Sequence, residues 1–307
     1  MNKFEVTILG SGSALPTVHK RPTSQVIHYS NKYYLVDCGE GTQTQLRKAK
    51  VSFLKINNIF ISHLHGDHYF GLVGLISSMH LLGRVGDLNL HAPKEIKEII
   101  DVQLRVSYTK LRFKINYTFL ESKETELIMA DKNMEVHTIP LKHGILTNGF
   151  LFKEKPIPRK AKAEKLDFYE VPHYEIQKIK AGADFVRPDG EVIENSKLTF
   201  PPEKSRSYAF CSDTAYREKI IPIIKNVSVL YHETTFLEKE RELAKKTTHS
   251  TAAQAGSIAN QAEVGKLLIG HFSARYEEKH HQEFIKEVQS KFQNVEIAEE
   301  LKTYEVR

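Results

Sequence analysis

Hydrophobic runs with the two-residue alternation of β-strands dominate the first sixty residues of the chain. The segments KFEVTIL, SQVIHYS and KYYLVDC are separated by turns rich in Gly, Pro and Ser, and INNIFIS adds a further buried run. After Pro93, the segment KEIKEIIDVQLRVSY has apolar positions at helical spacing. This order of elements predicts a sheet that opens with a meander.

The second half of the chain alternates strands and helices. MEVHTIPLKH and GFLFKEK are predicted strands, and SYAFCS, VSVLYHE and KLLIGHF continue the series after residue 202. The helical pattern TAAQAGSIANQAEV lies before the last of these strands. The alternation predicts an α/β fold.

The composition changes between residues 153 and 202, where the chain is basic and interrupted by prolines. Residues 153–180 include eight Lys or Arg and five acidic residues. The ring-containing residues Phe168, Tyr169, His173 and Tyr174 lie among them. We expect a partly helical insertion that projects from the domain without a second core. Cations can position a phosphate backbone and rings can stack on unpaired bases, although a solvated insertion or a dimer contact has the same composition.

The bulk composition is that of a soluble globular protein. The 307 residues are 40% hydrophobic and 27% charged, enough for one large α/β domain or two small ones. The formal charge of +6 permits a polyanionic partner without identifying one. Two cysteines are too few for a disulfide framework, which favours a cytoplasmic location. No apolar run is long enough to span a membrane, and the N-terminus is typical of a first strand rather than a signal peptide.

The loop LGSGSALP after the first strand resembles a dinucleotide-binding loop only in part. Leu15 replaces the third glycine, and Pro16 stands where a helix would begin. We therefore expect a tight turn built from small residues and no nucleotide cofactor.

The segment FISHLHGDHYFGL contains the densest group of metal-ligand side chains in the chain, in the pattern His63-x-His65-x-Asp67-His68. Residues two apart on an extended segment point to the same side, so His63 and His65 can hold one ion. Asp67 and His68 begin a new element after Gly66 and can face a second ion. Imidazole and carboxylate donors suit zinc, so this segment is interpreted as a metal site. The alternative interpretation is an exposed polar loop at the end of a strand.

A two-metal site needs further ligands, and the ends of other strands supply candidates. Open α/β sheets place their ligands beyond the carboxyl ends of the strands. His143, Asp213, His232 and His271 each end a predicted strand. Their convergence with the histidine cluster predicts a metal centre.

Together these motifs resemble a known family. SHLHGDH, His143, SDT, and GH followed by SARY resemble the metallo-β-lactamase superfamily. HETTF at 232–236, HST at 249–251 and SAR at 273–275, with the opening ILGSGSALP and DCGEGTQ, more narrowly resemble ribonuclease Z, the tRNA 3′-processing endonuclease. The resemblance implies one metallo-β-lactamase-type domain over 1–307, an αββα four-layer sandwich, with 153–202 as an inserted flexible arm that binds tRNA.

The resemblance also implies roles for individual residues. One zinc ion (Zn2+) would be held by His63, His65 and His143, and a second by Asp67, His68 and His271, with Asp213 bridging the two. Asp67 would also orient and deprotonate the attacking water. His249, supported by Glu233, would protonate the leaving ribose oxygen. In this assignment His232 is not a metal ligand, so the strand-end pattern selects one residue too many.

The implied substrate is precursor tRNA, cut on the 3′ side of the discriminator nucleotide to leave a 3′-hydroxyl, and the implied assembly is a homodimer. Lys160, Lys162 and Lys165 are the predicted arm contacts with tRNA. Arg275 would contact a substrate phosphate, with a structural salt bridge as the alternative. Two other functions are compatible with the sequence: a small-molecule phosphodiesterase or arylsulfatase of the same fold, and a non-catalytic RNA-binding protein with structural metals.

Overall fold

Two seven-stranded mixed sheets and one two-stranded hairpin contain the strands of the computed structural model, which describes residues 3–202 and 204–307. The strands, in chain order, are β1 Phe4–Gly10, β2 Ser24–Tyr29, β3 Lys32–Val36, β4 Ile56–Phe60, β5 Leu88–Ala92, β6 Ile115–Phe119, β7 Leu127–Ala130, β8 Met134–Pro140, β9 Asn148–Glu154, β10 Phe185–Val186, β11 Val192–Ile193, β12 Ser207–Cys211, β13 Val229–Glu233, β14 Lys266–Gly270, β15 Val295–Ile297 and β16 Thr303–Glu305. The sheet orders are β16-β1-β2-β3-β4-β5-β6 and β15-β14-β13-β12-β9-β8-β7.

Ten α-helices connect these strands: α1 Thr42–Lys48, α2 Gly66–Tyr69, α3 Leu72–Leu81, α4 Ile96–Val106, α5 Ala163–Phe168, α6 Ile176–Lys180, α7 Asn195–Leu198, α8 Arg241–Lys246, α9 Ala252–Gln261 and α10 His281–Gln289. Short 3₁₀ turns occupy Phe53–Lys55, His173–Glu175, Glu218–Ile220, Glu238–Glu240 and Glu278–His280. Within the described ranges, none of the helices has both the length and the apolar character of a membrane span.

Aromatic side chains fill the space between the two large sheets. Phe60 of β4 lies 5.4 Å from Phe150 and 5.3 Å from Phe152 of β9, measured between ring centroids. Tyr34 of β3 lies 5.9 Å from Phe152, and Tyr208 of β12 packs on the same ring. Large rings alternate with outward-facing residues along each strand, so their burial fixes which face of each sheet points inward.

Helices cover the outer face of each large sheet. Helices α1, α3 and α4 contribute to a cluster built on the first sheet, and α9 and α10 to a cluster built on the second. In α3 the buried side chains Leu72, Leu75, Ile76 and Met79 recur at helical spacing, which explains why this segment forms an amphipathic helix. The layers are helix, sheet, sheet, helix, and the predicted αββα sandwich is confirmed.

Most strands that precede the site loops pair in parallel with at least one neighbour, whereas β8, which precedes His143, pairs antiparallel with β7. Strands β3 to β6 pair in parallel in one sheet, and β12 to β15 in the other. Their carboxyl ends therefore meet loops on one edge of each sheet, as the sequence predicted. The turn after β1 is tight: a Cβ on Gly10 would lie 1.9 Å from the Pro22 carbonyl oxygen, so only glycine permits this approach.

The residues Asp131–Met134 and Lys153–Arg206 form a compact unit of their own. One cluster of five buried hydrophobic side chains within it comes from short helices and the β10–β11 hairpin: Leu166, Ile179, Phe185, Ile193 and Leu198. The side-chain amide of Asn195 donates to the carbonyls of Ile179 and Ala183, both at 2.7 Å. The sequence indicated no core here, and this was wrong because elements of two to six residues show no detectable period.

Two leucines of α3 test the packing of the outer layer. Leu75 is fully buried, whereas Leu81 on the same helix is 82% exposed. We expect Leu75→Ala to lower the free energy of unfolding by about 2–5 kcal/mol, because it removes buried methyl groups and leaves a cavity. Leu81→Ala is the matched control and should change it by less than about 1 kcal/mol. Urea unfolding measures both, and equal effects would contradict the burial of this helix face.

Candidate metal centre

The predicted metal ligands lie on loops that follow the carboxyl ends of strands from both large sheets. His63 and His65 follow β4, and His65 precedes α2, which contains Asp67 and His68. Three further loops complete the group: those after β8, β12 and β14 carry His143, Asp213 and His271. Residues far apart in sequence thus meet at one edge of the sandwich.

The first ligand group comprises three histidines and one carboxylate. The His65 Nδ1 atom lies 3.1 Å from His63 Nε2 and 3.2 Å from His143 Nε2. The Oδ2 atom of Asp213 is 3.7 Å from both His63 Nε2 and His143 Nε2. These four donor atoms converge on one point.

The second ligand group shares Asp213 with the first. The Oδ1 atom of Asp213 lies 3.0 Å from His271 Nε2 and 3.3 Å from His68 Nε2. Asp67 Oδ2 is 3.3 Å from His68 Nε2 and 3.7 Å from His271 Nε2. Each oxygen of the Asp213 carboxylate therefore faces a different group, which is the arrangement of a bridging ligand.

The chemistry of both groups fits divalent metal ions. Each residue offers one donor atom, and the donor atoms of each group lie within 4.8 Å of one another. The Nε2 atoms of His68 and His271 are buried and have no hydrogen-bond partner among the described residues. Buried polar atoms are rarely left unsatisfied in native proteins, so these two are suited to metal coordination. Nitrogen and carboxylate donors in this number match zinc-type sites.

Hydrogen bonds orient the ligand His68. Its Nδ1 atom lies 2.7 Å from Oδ2 of Asp37, which is fully buried at the end of β3. The main-chain N–H and the hydroxyl of Ser62 donate to the same carboxylate at 2.8 and 2.9 Å. Such a carboxylate fixes the tautomer and ring orientation of a metal-binding histidine. The site-residue predictions omitted Asp37, although its strand-end position is the signal that selected Asp213.

Hydroxyl and carbonyl groups orient two more ligands. Thr235 Oγ1 lies 2.9 Å from His271 Nδ1. The His143 Nδ1 atom lies 3.0 Å from the Thr248 carbonyl oxygen and 3.0 Å from the Thr248 hydroxyl. The sequence contains no signal for these two threonines, because each acts through a contact between loops distant in the chain.

Three residues around the ligands have backbone conformations that are uncommon outside glycine. The φ angles of Asp37, Thr248 and His271 are 55°, 57° and 60°. Such strain is tolerated where the surrounding structure over-determines the conformation, and it clusters at functional sites. Here the main-chain N–H of His271 donates to the Ser11 carbonyl at 2.8 Å, which ties this residue to the turn after β1.

The carboxylates give the centre a strongly negative electrostatic potential. Burial lowers the pKa of His271, but Asp213 and Asp67 outweigh it and raise that pKa to about 10. Burial likewise lowers the pKa of His68, and the carboxylates Asp213, Asp67 and Asp37 raise it well above its usual value. Burial raises the pKa of Asp213, but His271 and His68 hold it well below the normal range. The same field attracts metal cations.

A second constellation, His249 and Glu233, adjoins the second ligand group. His249 Nδ1 lies 2.8 Å from Glu233 Oε1, and Glu233 also accepts from the main-chain N–H groups of Thr214 and Thr235 at 2.8 and 3.1 Å. Burial lowers the pKa of His249, but the Glu233 carboxylate raises it above its usual value. The His249 ring is stacked 5.5 Å from that of His271, measured between centroids. This pair can hold a proton beside the metal ligands.

The metal ligands open onto a cavity of about 420 Å³. Its lining includes the loop Lys246, Thr247 and Thr248 and the side chains of His65, Asp67, His143, Asp213, His249 and His271. His232, selected by the strand-end pattern, belongs to neither of these two ligand groups. Its Nδ1 atom lies 2.7 Å from the Glu233 carbonyl oxygen. Its exclusion from the ligands stays a prediction.

The predicted substrate contacts lie on the surface. The guanidinium of Arg275 donates to Glu240 at 3.0 Å and stacks over the Phe236 ring. Lys160 and Lys165 are exposed, and Lys162 donates to the Ser196 carbonyl at 2.9 Å. Arg275 thus takes part in a salt bridge, and its contact with substrate stays a prediction, as do those of the three lysines.

Comparison with known proteins identifies related sequences over nearly the full chain. Ribonuclease Z of Bacteroides thetaiotaomicron is 52% identical over 279 residues, which cover 91% of this chain and 88% of that protein. Ribonuclease Z of Bacteroides fragilis is 48% identical over 300 residues, and that of Porphyromonas gingivalis 44% over 300, with 98% of each chain covered in both cases.

Solved structures agree on the fold. Human tRNase Z, short form, superposes with a TM-score of 0.71 at 24% identity over 99% of both chains. The metallo-β-lactamase fold protein YhfI of Bacillus subtilis has a TM-score of 0.70 at 17% identity, over 99% of this chain and 100% of that one. These similarities confirm the predicted fold class.

A family model described as anti-Pycsar protein Apyc1 matches residues 4–157. That range contains the histidine cluster and His143 but ends before Asp213, Glu233, His249 and His271. The relatives above match across these later residues as well, and their match includes the segments that carry the narrower resemblance. The chain therefore belongs to the ribonuclease Z family.

Proposed function

We propose that this protein is a two-zinc endoribonuclease that removes the 3′ trailer of precursor tRNA by phosphodiester hydrolysis. The cut falls on the 3′ side of the discriminator nucleotide and leaves a 3′-hydroxyl on the tRNA. One observation carries the proposal: Asp213 belongs to two candidate metal-ligand groups and lines the same cavity as His249, whose Nδ1 contacts the buried Glu233. The names of the related proteins, ribonuclease Z and tRNase Z, support the substrate class.

His63, His65 and His143 would hold one zinc ion, Asp67, His68 and His271 the other, with Asp213 between them. When bound, two such ions act as Lewis acids on the phosphoryl oxygens and make a water nucleophilic near neutral pH. This leaves the protein to position groups and transfer protons, so no Ser or Cys nucleophile is required. Cys38 and Cys211 are buried, and burial raises the pKa of the Cys38 thiol to about 12, which makes it unreactive.

Asp67 and His249 each carry out one of the two proton transfers of the reaction. The carboxylate of Asp67 accepts a proton from the attacking water. Burial raises the pKa of Asp67, but the neighbouring His68 and His271 outweigh it and hold that pKa below its usual value. The Nδ1–H of His249 is engaged by Glu233, which leaves Nε2 as the atom that delivers a proton to the departing ribose oxygen. Glu233, which is fully buried, stabilises the protonated imidazole.

The unit formed by Asp131–Met134 and Lys153–Arg206 is proposed as the tRNA-binding arm. Within it, Lys162 lies over the Phe200 ring and Lys165 over the Phe168 ring, each with Nζ 5.5 Å from the ring centroid. Phe168 and Phe200 are 72% and 52% exposed, so cations and accessible rings stand side by side, a combination suited to phosphates and unpaired bases. The family resemblance further supports a homodimer that acts in the cytoplasm.

The proposed reaction is tested directly with a precursor tRNA that carries a 3′ trailer. We expect a single cut next to the discriminator, a 3′-hydroxyl on the tRNA product, and loss of cutting in the presence of a chelator with recovery on addition of zinc. Mapping both product ends measures this. A protein that holds two metals but hydrolyses only small phosphodiesters or sulfate esters would contradict the proposal and favour a small-molecule hydrolase.

Replacement of His249 tests its role as proton donor. His249→Ala should lower kcat on precursor tRNA roughly 10²–10⁴-fold, the usual contribution of a general acid, while metal content stays at the wild-type level. Glu233→Gln should lower kcat in the same direction, because the neutral amide no longer stabilises the imidazolium. Metal analysis of each purified variant is the control, and loss of metal from His249→Ala would instead make this residue a ligand.

Replacement of Asp37 tests the support of His68. Asp37→Asn keeps the shape of the side chain but removes the charge that orients the ring, so metal affinity should fall roughly 10–100-fold. Competition with a chromogenic chelator measures the affinity. Asp101→Asn, on the exposed face of α4, is the control and should bind metal as the wild type does. Equal affinity in the two variants would remove Asp37 from the metal centre.

A further inference from the structure

A second cavity, of about 490 Å³, adjoins the metal centre on the side of His143. His143 and Gly144 line both this cavity and the one that contains the metal ligands. Its other walls come from the 122–123 and 140–147 segments and from Arg217. A polymer bound at the metal centre can therefore continue into this second cavity without crossing a layer of the fold.

The second cavity is lined by cations and by no carboxylate. Its charged residues are Lys123, Lys142 and Arg217, and no Asp or Glu contributes to the lining formed by the described part of the chain. Lys123 and Lys142 are exposed, and within residues 3–202 and 204–307 neither forms an ion pair. The cavity therefore presents uncompensated positive charge.

Arg217 is the least exposed of these three cations. Its side chain is half-buried, and among the described residues it forms no ion pair and its Nε–H has no hydrogen-bond partner. A half-buried guanidinium without a carboxylate partner is suited to an anion that arrives with the substrate. Its planar fork matches the oxygens of a phosphodiester.

The loop that carries Arg217 is joined to the metal centre through the chain. Arg217 lies four residues after the bridging ligand Asp213. The main-chain N–H of Ala215 donates to the Lys142 carbonyl at 2.7 Å, and the Lys142 N–H donates to the Thr214 hydroxyl oxygen at 3.1 Å. The two loops that supply Arg217 and Lys142 are thus fixed to each other and, through Asp213 and His143, to the ligands.

We propose that Arg217, with Lys142 and Lys123, binds a backbone phosphate of the RNA that flanks the scissile phosphate, and so positions the strand across the metal centre. The proposal rests on the function proposed above and deepens it by assigning a substrate subsite. Arg217 makes the directional contact, and the two lysines add charge at the cavity mouth. The subsite has no role for a substrate that consists of the scissile phosphate alone.

The test compares Arg217→Gln, Arg217→Lys and Lys142→Gln with the control Lys219→Gln, an exposed lysine that does not line the cavity. Each variant, loaded with metal, is assayed on a precursor tRNA with a 3′ trailer and on bis(p-nitrophenyl) phosphate. We expect Arg217→Gln to raise KM for precursor tRNA about ten-fold or more, as loss of a charge-assisted hydrogen bond implies. Arg217→Lys should recover part of this loss.

Salt dependence supplies the second readout. Loss of one phosphate contact should flatten the slope of log kcat/KM against log salt by roughly 0.7–0.9 in Arg217→Gln, while Lys219→Gln keeps the wild-type slope. The loss on precursor tRNA should exceed any loss on bis(p-nitrophenyl) phosphate at least five-fold, because the small ester does not reach the second cavity.

The outcomes separate the subsite from the reaction. If wild-type protein cuts precursor tRNA but Arg217→Gln matches Lys219→Gln in KM and salt slope, the subsite is overturned and the proposed reaction stands. Equal losses on both substrates would also overturn the subsite, because they indicate damage to the metal centre. If the wild type hydrolyses only the small ester, the proposed function itself fails, and the subsite with it.

Discussion

The contacts of the Asp213 carboxylate with four histidines are the interaction on which the rest of the site depends. One of its oxygens faces His63 and His143, and the other faces His68 and His271, so a single buried side chain joins two ligand groups. A buried carboxylate is costly unless it is compensated by cations or hydrogen bonds. Here the histidines of both groups supply that compensation. The two sheets must therefore keep their strand ends in register for either ligand group to exist.

A surrounding layer of hydrogen bonds holds this arrangement in place. Asp37, Thr235 and Thr248 each contact the second ring nitrogen of a ligand histidine, and left-handed backbone at Asp37, Thr248 and His271 is stabilised by contacts between loops. Close approach matters as well: a Cβ on Gly39 would lie 2.4 Å from the Asp67 carbonyl oxygen, so glycine lets the end of β3 pack directly on α2. Preorganised ligands of this kind bind metal without a large reorganisation cost. The His249–Glu233 pair, proposed to transfer a proton, adjoins the same ligands.

The fold and the metal centre define a hydrolase, whereas substrate choice depends on accessory parts. One fold supports many activities, and the ligands alone suit several kinds of ester. The proposed RNA substrate agrees with two basic features of this chain, the lysine-rich unit around 153–206 and the cavity with Arg217. The first presents accessible rings beside cations. The second presents cations alone, directly beside His143.

The sequence by itself located strands of both sheets and the candidate metal-binding residues at their ends, because these follow from residue type and local spacing, whereas the division of the ligands between two ions rests on the family resemblance. Alternating hydrophobic runs located β1 to β4 and β12 to β14, and the spacing of His63, His65, Asp67 and His68 identified the centre. Only the tertiary structure showed that Asp37 orients His68, that threonines hold His143 and His271, and that the 153–206 unit has a small core of its own. Those features arise from contacts between residues remote in the chain, and no local spacing or periodicity encodes which loops will meet.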